Sequence, residues 1–461
     1  MKLRLYTLAL ALLPAISFAQ SLPDNPFGNS LVPDMIADAS IEEIDGAFYC
    51  YATTDGYGRG LETSGPPVVW TSKDFVHWSF DGTYFPSARY EKYWAPSKAV
   101  PYKGRFFIYP TINGKMYAAV SDSPLGPFRL AEGADTFTEP AGPNTLLKKG
   151  HRDGIDAEIF IDDDGQPYIF WNRCHVAKLG KDLVTVDEES TQLIDIPHHK
   201  YSEGPVFFKR NGIYYYVYTL EGNEEYQYNY IYSRTSPLGP WIVPENDIVT
   251  FSDHATGVHG PGHGSIFKVE ESGKYYFAFL EFGRGSTNRM TYVNELEFNA
   301  DGTLKPVAVT MQGVGALKRV KTDKALKIKA VTASSTAEPK KVKPEREKDL
   351  VRIEHFVPGF ATDGANGSRW MAAEGDSKPW IMADLGRVRK VRRSEVAFVR
   401  PTAGHAYVLE YSKDGKNFTQ MASHPDPEMK SPHSDIIGLR CRYLRIKILE
   451  GVSGVWEWNI Y

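Results

Sequence analysis

Four residues able to move protons or hold a cation recur at matching places in the first 310 residues: Asp38, Asp156, Glu203 and His263. Each stands ahead of an apolar stretch and a turn glycine. Asp38 is eight residues before Gly46, Asp156 nine before Gly165, Glu203 nine before Gly212 and His263 ten before Gly273. A charge at the mouth of a strand as apolar as "PVFF" must be compensated or used once it is buried. Carboxyl groups brought together suit general acid–base chemistry, one giving a proton to a leaving oxygen while another activates water. Crowding them in a dry site raises at least one pKa, because like charges resist joint ionisation. The apolar strand behind Glu203 favours its neutral form and so a general acid. Asp38, heading the first repeat, is the candidate base, and Asp156 would tune and orient the acid.

The elements that must position these groups are five similar hairpins. "IEEIDGAFYCYATT", "AVPYKGRFFIYPT", "EIFIDDDGQPYIFW", "VFFKRNGIYYYVYT" and "IFKVEESGKYYFAFL" each read as strand, polar Gly turn and aromatic strand. The turn glycines, Gly46, Gly104, Gly165, Gly212 and Gly273, are spaced 58, 61, 47 and 61 residues apart, which suits four-stranded propeller blades with generous loops. "VVWTSKDFVHW", "AAVSDSPLGPF" and "IYSRTSPLGPW" repeat in the second halves. The expected fold is all-β, with five blades around an axis. Innermost strands start near that axis, so Asp38, Asp156, Glu203 and His263 should converge at one end of the channel. The second repeat has Pro96 at the counted position.

The bulk composition narrows the class. Residues 1–19 carry Lys2 and Arg4, an apolar run and small residues around Ala19, which reads as a secretory signal. No later stretch is long enough to span a bilayer, so a periplasmic or secreted protein is expected. The net charge is −4, or about −6 without the leader's two cations, which leaves no basic footprint for nucleic acid. Cys50, Cys174 and Cys441 cannot all pair, which argues against a disulfide framework or a cysteine-rich zinc site. Twenty-seven tyrosines suit β-strands and sugar stacking alike, so composition does not choose between core and binding roles.

"ADASIEEIDGAFYCY", "GIDAEIFIDDDGQPYIFW", "YSEGPVFFKRNGIYYYVY" and "GPGHGSIF" resemble the blade-start motifs of glycoside hydrolase family 43, over roughly residues 25–310. The resemblance implies a five-bladed propeller that hydrolyses glycosidic bonds with inversion, with Asp38 as general base, Asp156 as pKa modulator and Glu203 as general acid. It implies α-L-arabinofuranosidase or β-xylosidase activity on plant-type oligo- or polysaccharides. Endo-arabinanase or galactan-active hydrolysis is the alternative within the family, and a non-catalytic glycan-binding propeller the alternative outside it. No cofactor is required for the chemistry. Many members hold calcium or another ion on the axis near a histidine, here His263, which reads equally as a hydrogen-bonded axis residue. Two departures stand out: Asp-Ala-Ser replaces Asp-Pro-Ser at Asp38, and Ser97 replaces a frequent acidic residue in "WAPSKAV". Trp94 and Trp171 read as core or as sugar platforms, and Arg289 as a surface residue or a partner for a pocket carboxylate.

Beyond "NADGTLKPV" the character changes. "IKAVTASST", "FATDGANGSRWMA", "KPWIMADLG", "YVLEYSKDGKNFTQMA" and "RCRYLRIKI" resemble a discoidin-like jelly-roll β-sandwich, the scaffold of family 32 carbohydrate-binding modules. The expected division is a leader at 1–19, a propeller at 20–318 and a β-sandwich at 319–461, with a separate core in each module and a monomeric protein. Trp370, Trp380 and Trp456 would be core residues in a sandwich that braces the propeller, or platforms in one that binds sugar.

Overall fold

The computed structural model describes residues 21–461 except 56–63, 86–91, 132–145, 148–153, 200, 202, 254, 256, 283–287 and 343–350. The expected leader at 1–19 lies outside the described residues. Among the described residues of the first 300 there are five antiparallel blade sheets and a small three-stranded sheet of Tyr93–Trp94, Thr111–Ile112 and Lys115–Met116. Blade one holds Ile36–Ile44, Ala47–Thr54, Val69–Ser72 and Trp78–Asp81. Blade two holds Val100–Tyr102, Arg105–Ile108, Ala119–Ser121 and Arg129–Leu130. Blade three runs from Glu158–Ile161 to Val186–Leu193, blade four from Val206–Arg210 to Ile248–Phe251, and blade five comprises Gly262–Lys268, Tyr275–Glu281 and Met290–Leu296. Among the described residues there is no α-helix, and no helix long and apolar enough to cross a membrane.

Turn chemistry sets the register of the inner hairpins. Ile44 pairs with Ala47 across Asp45–Gly46, and Arg210 with Ile213 across Asn211–Gly212. Both turn residues have positive φ in each case: 49° and 81° in the first, 50° and 76° in the second. That is the two-residue hairpin whose twist matches its strands, and it favours Asp/Asn followed by Gly. The tyrosine-rich second strands are buried on both faces, as in Ile213–Leu220. Blades pack ring on ring, with Phe170 of blade three stacked on Phe207 of blade four at 4.1 Å. The start of the described chain returns along blade five, where the Leu31 amide donates to the Thr291 carbonyl. Most of the tyrosines that composition left open are therefore core residues.

The C-terminal part folds around Trp380–Phe398 and His433–Glu450, two long paired strands whose register shifts mid-course. Gly454–Ile460, His405–Ser412 and Thr419–Glu428 extend the sheet, and Ala330–Ala333 and Trp370–Met371 join it. Trp370, Phe398, Tyr407, Leu444 and Trp458 fill its core.

The sandwich has the core of its own that was expected, but its edge also joins that of the propeller. Trp456, Ala397 and Val399 of the sandwich belong to the core shared with blades four and five. Lys430–Ser431 pairs with Trp78–Asp81 as a fifth strand of blade one. Arg352 Nη2 meets Glu281 Oε1 of blade five at 3.0 Å, with both side chains buried. The connecting segment still touches the propeller at Lys318, whose ammonium donates to the Gly46 carbonyl. It reaches the sandwich at Leu326, whose amide donates to the Ile460 carbonyl.

Candidate active site

The inner strands aim their first residues by local distortion. Opposite blade one's second strand, pairing jumps from Ala37 to Ser40, which makes Asp38 and Ala39 a bulge. In blade five it jumps from Gly262 to Gly264, leaving His263 as the extra residue. A bulge re-aims a side chain out of the sheet's alternation. Asp38 (φ 52°) and Asp156 (φ 60°) are also left-handed, a conformation that short polar side chains tolerate better than most. Ser97 (φ 58°) takes this place in blade two, so the structural equivalent is Ser97 rather than the counted Pro96. Gly204 (φ 65°) has the same conformation in blade four. A Cβ there would come within 2.8 Å of the His263 ring, so glycine is what lets the imidazole reach the axis.

These distortions bring the predicted residues together. His263 Nδ1 lies 3.6 Å from Asp38 Oδ1 and 3.8 Å from Asp156 Oδ2. The Gly204 amide, next to Glu203, donates to Asp156 Oδ2 at 3.1 Å. Arg289, 6 % exposed, is a pocket residue and not a surface one. Its Nη1 approaches Asp38 Oδ1 at 3.4 Å, while Nη2 donates to Asp55 Oδ1 at 2.9 Å and its amide to Asp55 Oδ2 at 2.6 Å. Trp171 is a core residue, 1 % exposed and packed between blades two and three. Its assignment as a sugar platform is therefore corrected: at the end of the second strand of blade three, Pro167–Trp171, it turns into the blade interface. Trp94 is half-buried and pairs with Thr111, whose hydroxyl accepts from the Asp156 amide at 3.2 Å, so it borders the site.

Several site residues went unnoticed in the sequence. Thr53 Oγ1 donates to Asp38 Oδ2 at 2.5 Å and accepts from the Ala95 amide at 2.9 Å. Thr219 Oγ1 accepts from the Glu203 amide at 2.8 Å. Tyr226 donates its hydroxyl hydrogen to Glu203 Oε1. Asp55 holds Arg289. The signal for the threonines was present, since "YATT" and "VYT" put Thr53 and Thr219 one residue before the ends of the second strands of blades one and four.

The electrostatics separate the carboxyls. Burial, then the charge of Asp156, pushes Glu203 up to about 7, against the hydrogen bond from Tyr226. Burial, then Asp38, pushes Asp156 up to about 7, against the Gly204 amide and Arg289. Burial also raises Asp55 to about 6, although Arg289 opposes it. Arg289 sets a permanent positive charge against Asp38. His263, where the resemblance implied an axial ion, turns its Nδ1 toward Asp38 and Asp156. Among the described residues no three His, Cys, Asp or Glu side chains gather in a way that could hold a metal ion.

Asp156→Asn is expected to move the alkaline limb of the kcat/KM–pH profile to lower pH, since Glu203 loses a neighbouring charge that raises its pKa. An unmoved limb would contradict this coupling. The sign for stability follows by linkage. Asp156 and Glu203 hold protons more tightly folded than unfolded. Their contribution is therefore full below the ordinary carboxyl range, about 4, and is lost as pH rises through about 7. The Asn variant should accordingly gain Tm relative to wild type at pH 8 more than at pH 5.

A five-bladed propeller whose axis gathers a proton-carrying glutamic acid, a second carboxylate beside an arginine and a third between them defines an acid–base hydrolase. The profile of "Glycosyl hydrolases family 43" matches residues 25–304, and that of the "F5/8 type C domain" matches residues 330–460. The chain belongs to glycosyl hydrolase family 43 and is a glycoside hydrolase with a C-terminal discoidin-like domain. A solved structure described as a glycoside hydrolase is 64 % identical, with a TM-score of 0.93, covering 95 % of this chain and 100 % of that one. A β-D-galactofuranosidase of Aspergillus niger is 27 % identical over 62 % of this chain and 86 % of its own length. An arabinoxylan arabinofuranohydrolase of Bacillus subtilis is 28 % identical over 60 % of this chain and 60 % of its own, so this chain spans less than two thirds of that relative.

Proposed function

We propose that the protein is an exported, inverting exo-glycosidase that removes α-L-arabinofuranosyl or β-D-xylosyl groups from plant-type polysaccharides or oligosaccharides. The observation that carries the reading is the state of Glu203: a carboxyl pushed up to about 7 with one oxygen already engaged. Because Tyr226 donates to Oε1, the acidic proton sits on Oε2 and goes to the leaving-group oxygen as the glycosidic bond breaks. Asp38 takes a proton from the water that attacks the anomeric carbon from the opposite face. Thr53 fixes Oδ2 of Asp38, and Oδ1, which Arg289 Nη1 approaches at 3.4 Å, accepts from that water. Asp156 keeps Glu203 protonated at working pH and, through the Gly204 amide, holds the backbone beside it. Trp94 offers its ring to the sugar. Export rests on the first 19 residues.

The test is hydrolysis of aryl α-L-arabinofuranoside, β-D-xyloside, β-D-galactoside and β-D-galactofuranoside by wild type and by Asp38→Asn. Release from the arabinofuranoside or xyloside, abolished in the variant, is the expected result. The similarity to the Aspergillus niger enzyme favours a second reading, in which the galactofuranoside is the one cleaved. Release that survives Asp38→Asn undiminished would remove Asp38 as base.

A further inference from the structure

Blade two is the exception on the axis. Blades one, three, four and five bring Asp38, Asp156, Glu203 and His263 to it, whereas Ser97 spends its hydroxyl on the backbone. It accepts from the Tyr109 amide at 3.0 Å and donates to the Lys98 carbonyl at 3.1 Å. The next residue, Lys98, reaches both neighbouring blades at once. Its Nζ lies 3.6 Å from Glu42 Oε2 of blade one and 3.6 Å from Glu158 Oε1 of blade three. A side chain of blade two that touches blades one and three together must lie in the central channel, since only there do inner strands two blades apart come within one side chain's reach. Glu158 follows Asp156 by two residues and Glu42 follows Asp38 by four, so the ammonium sits behind the two catalytic carboxylates.

We propose that the ammonium of Lys98, and not a bound divalent metal ion, is the cation of this propeller's axial channel, and that it positions the inner strands carrying Asp38 and Asp156. The charge balance agrees. Burial works against the charge on Lys98, yet Glu158 and then Glu42 outweigh it and raise its pKa. Lys98 is a positioning residue: it touches no reacting atom and acts through the two strands it ties together. A divalent ion needs several oxygen ligands at 2.3–2.6 Å if it is calcium. Here the two carboxylates that could start such a site are already shared by an ammonium, and blade two supplies no third.

The experiment uses the full chain and does not depend on a substrate. Metal content is measured by mass spectrometry after purification without added calcium, and Tm is recorded in chelator and in excess calcium. The wild type is expected to hold well below one equivalent of metal, with the same Tm in both. Lys98→Met should lose about 5 °C of Tm, in chelator and in calcium alike, because buried Glu158 and half-buried Glu42 are left without their cation. Stoichiometric metal in the wild type, or a wild-type Tm that falls on chelation, would overturn the proposal. So would a Lys98→Met Tm that equals wild type. If Lys98→Met fails to fold, Lys98→Gln carries the variant arm, and the wild-type measurements decide alone whether the ion is needed.

Discussion

Glu203→Gln is expected to lower kcat/KM by about 10²- to 10⁴-fold on substrates with poor leaving groups, the range that a positioned general acid supplies. The amide keeps the shape of the carboxyl and can still accept from Tyr226, so substrate binding and fold should change little. KM therefore stays near its wild-type value while kcat falls, because the lost interaction exists only as the bond breaks. Two further readings separate loss of the acid from general damage. The alkaline limb near pH 7, where Glu203 gives up its proton, should disappear from the profile. Activity on a dinitrophenyl glycoside should be largely spared, since that leaving group departs without a proton. A variant equally poor on both kinds of substrate would show that Glu203 does something other than donate a proton.

Removing residues 319–461 is expected to leave a propeller that does not fold, and the intact protein should unfold in one cooperative transition. Truncation strips Trp456, Ala397 and Val399 from the core of blades four and five. It also uncovers the outer edge of blade one where Lys430–Ser431 pairs, and an unpaired edge invites association with other chains. Finally it leaves Glu281, 1 % exposed, without the Arg352 guanidinium; breaking a buried ion pair costs about 3–5 kcal/mol. Emptying a single position of the seam is already costly: Trp456→Ala alone should cost about 3–5 kcal/mol. Calorimetry on the intact chain and solubility of the truncated one check this. Two separated transitions, or an active soluble propeller ending at residue 318, would contradict it.

Much of the catalytic end was legible because chain chemistry repeats there. Asp-Gly and Asn-Gly turns mark the inner hairpins, and counting back from their glycines lands on Asp38, Asp156 and Glu203. The count fails by one in blade two, where the left-handed residue is Ser97 and not Pro96. A count from a turn carries no information about where φ changes sign. Trp171 was ambiguous because an aromatic at the end of a blade's second strand turns either to the pocket or to the next blade, and only packing against blade two decides. Asp55 and Tyr226 stayed hidden for another reason. Each meets its partner across a span, Asp55 reaching Arg289 over 234 residues and Tyr226 reaching Glu203 over 23, from the turn before the blade's third strand. The shared seam with the sandwich was hidden likewise: nothing local to Trp456 or Arg352 tells which core they join.

The central claim is that Asp38 and Glu203 act from opposite faces of the sugar with a water between Asp38 and the anomeric carbon. The most direct test follows the first product by proton NMR as a hydrolysed aryl glycoside turns over, before the sugar mutarotates. The free sugar is expected to appear first with the opposite anomeric configuration to the substrate. First appearance of the same anomer would mean a covalent sugar–enzyme intermediate, and the assignment of Asp38 as a base acting on water would fall.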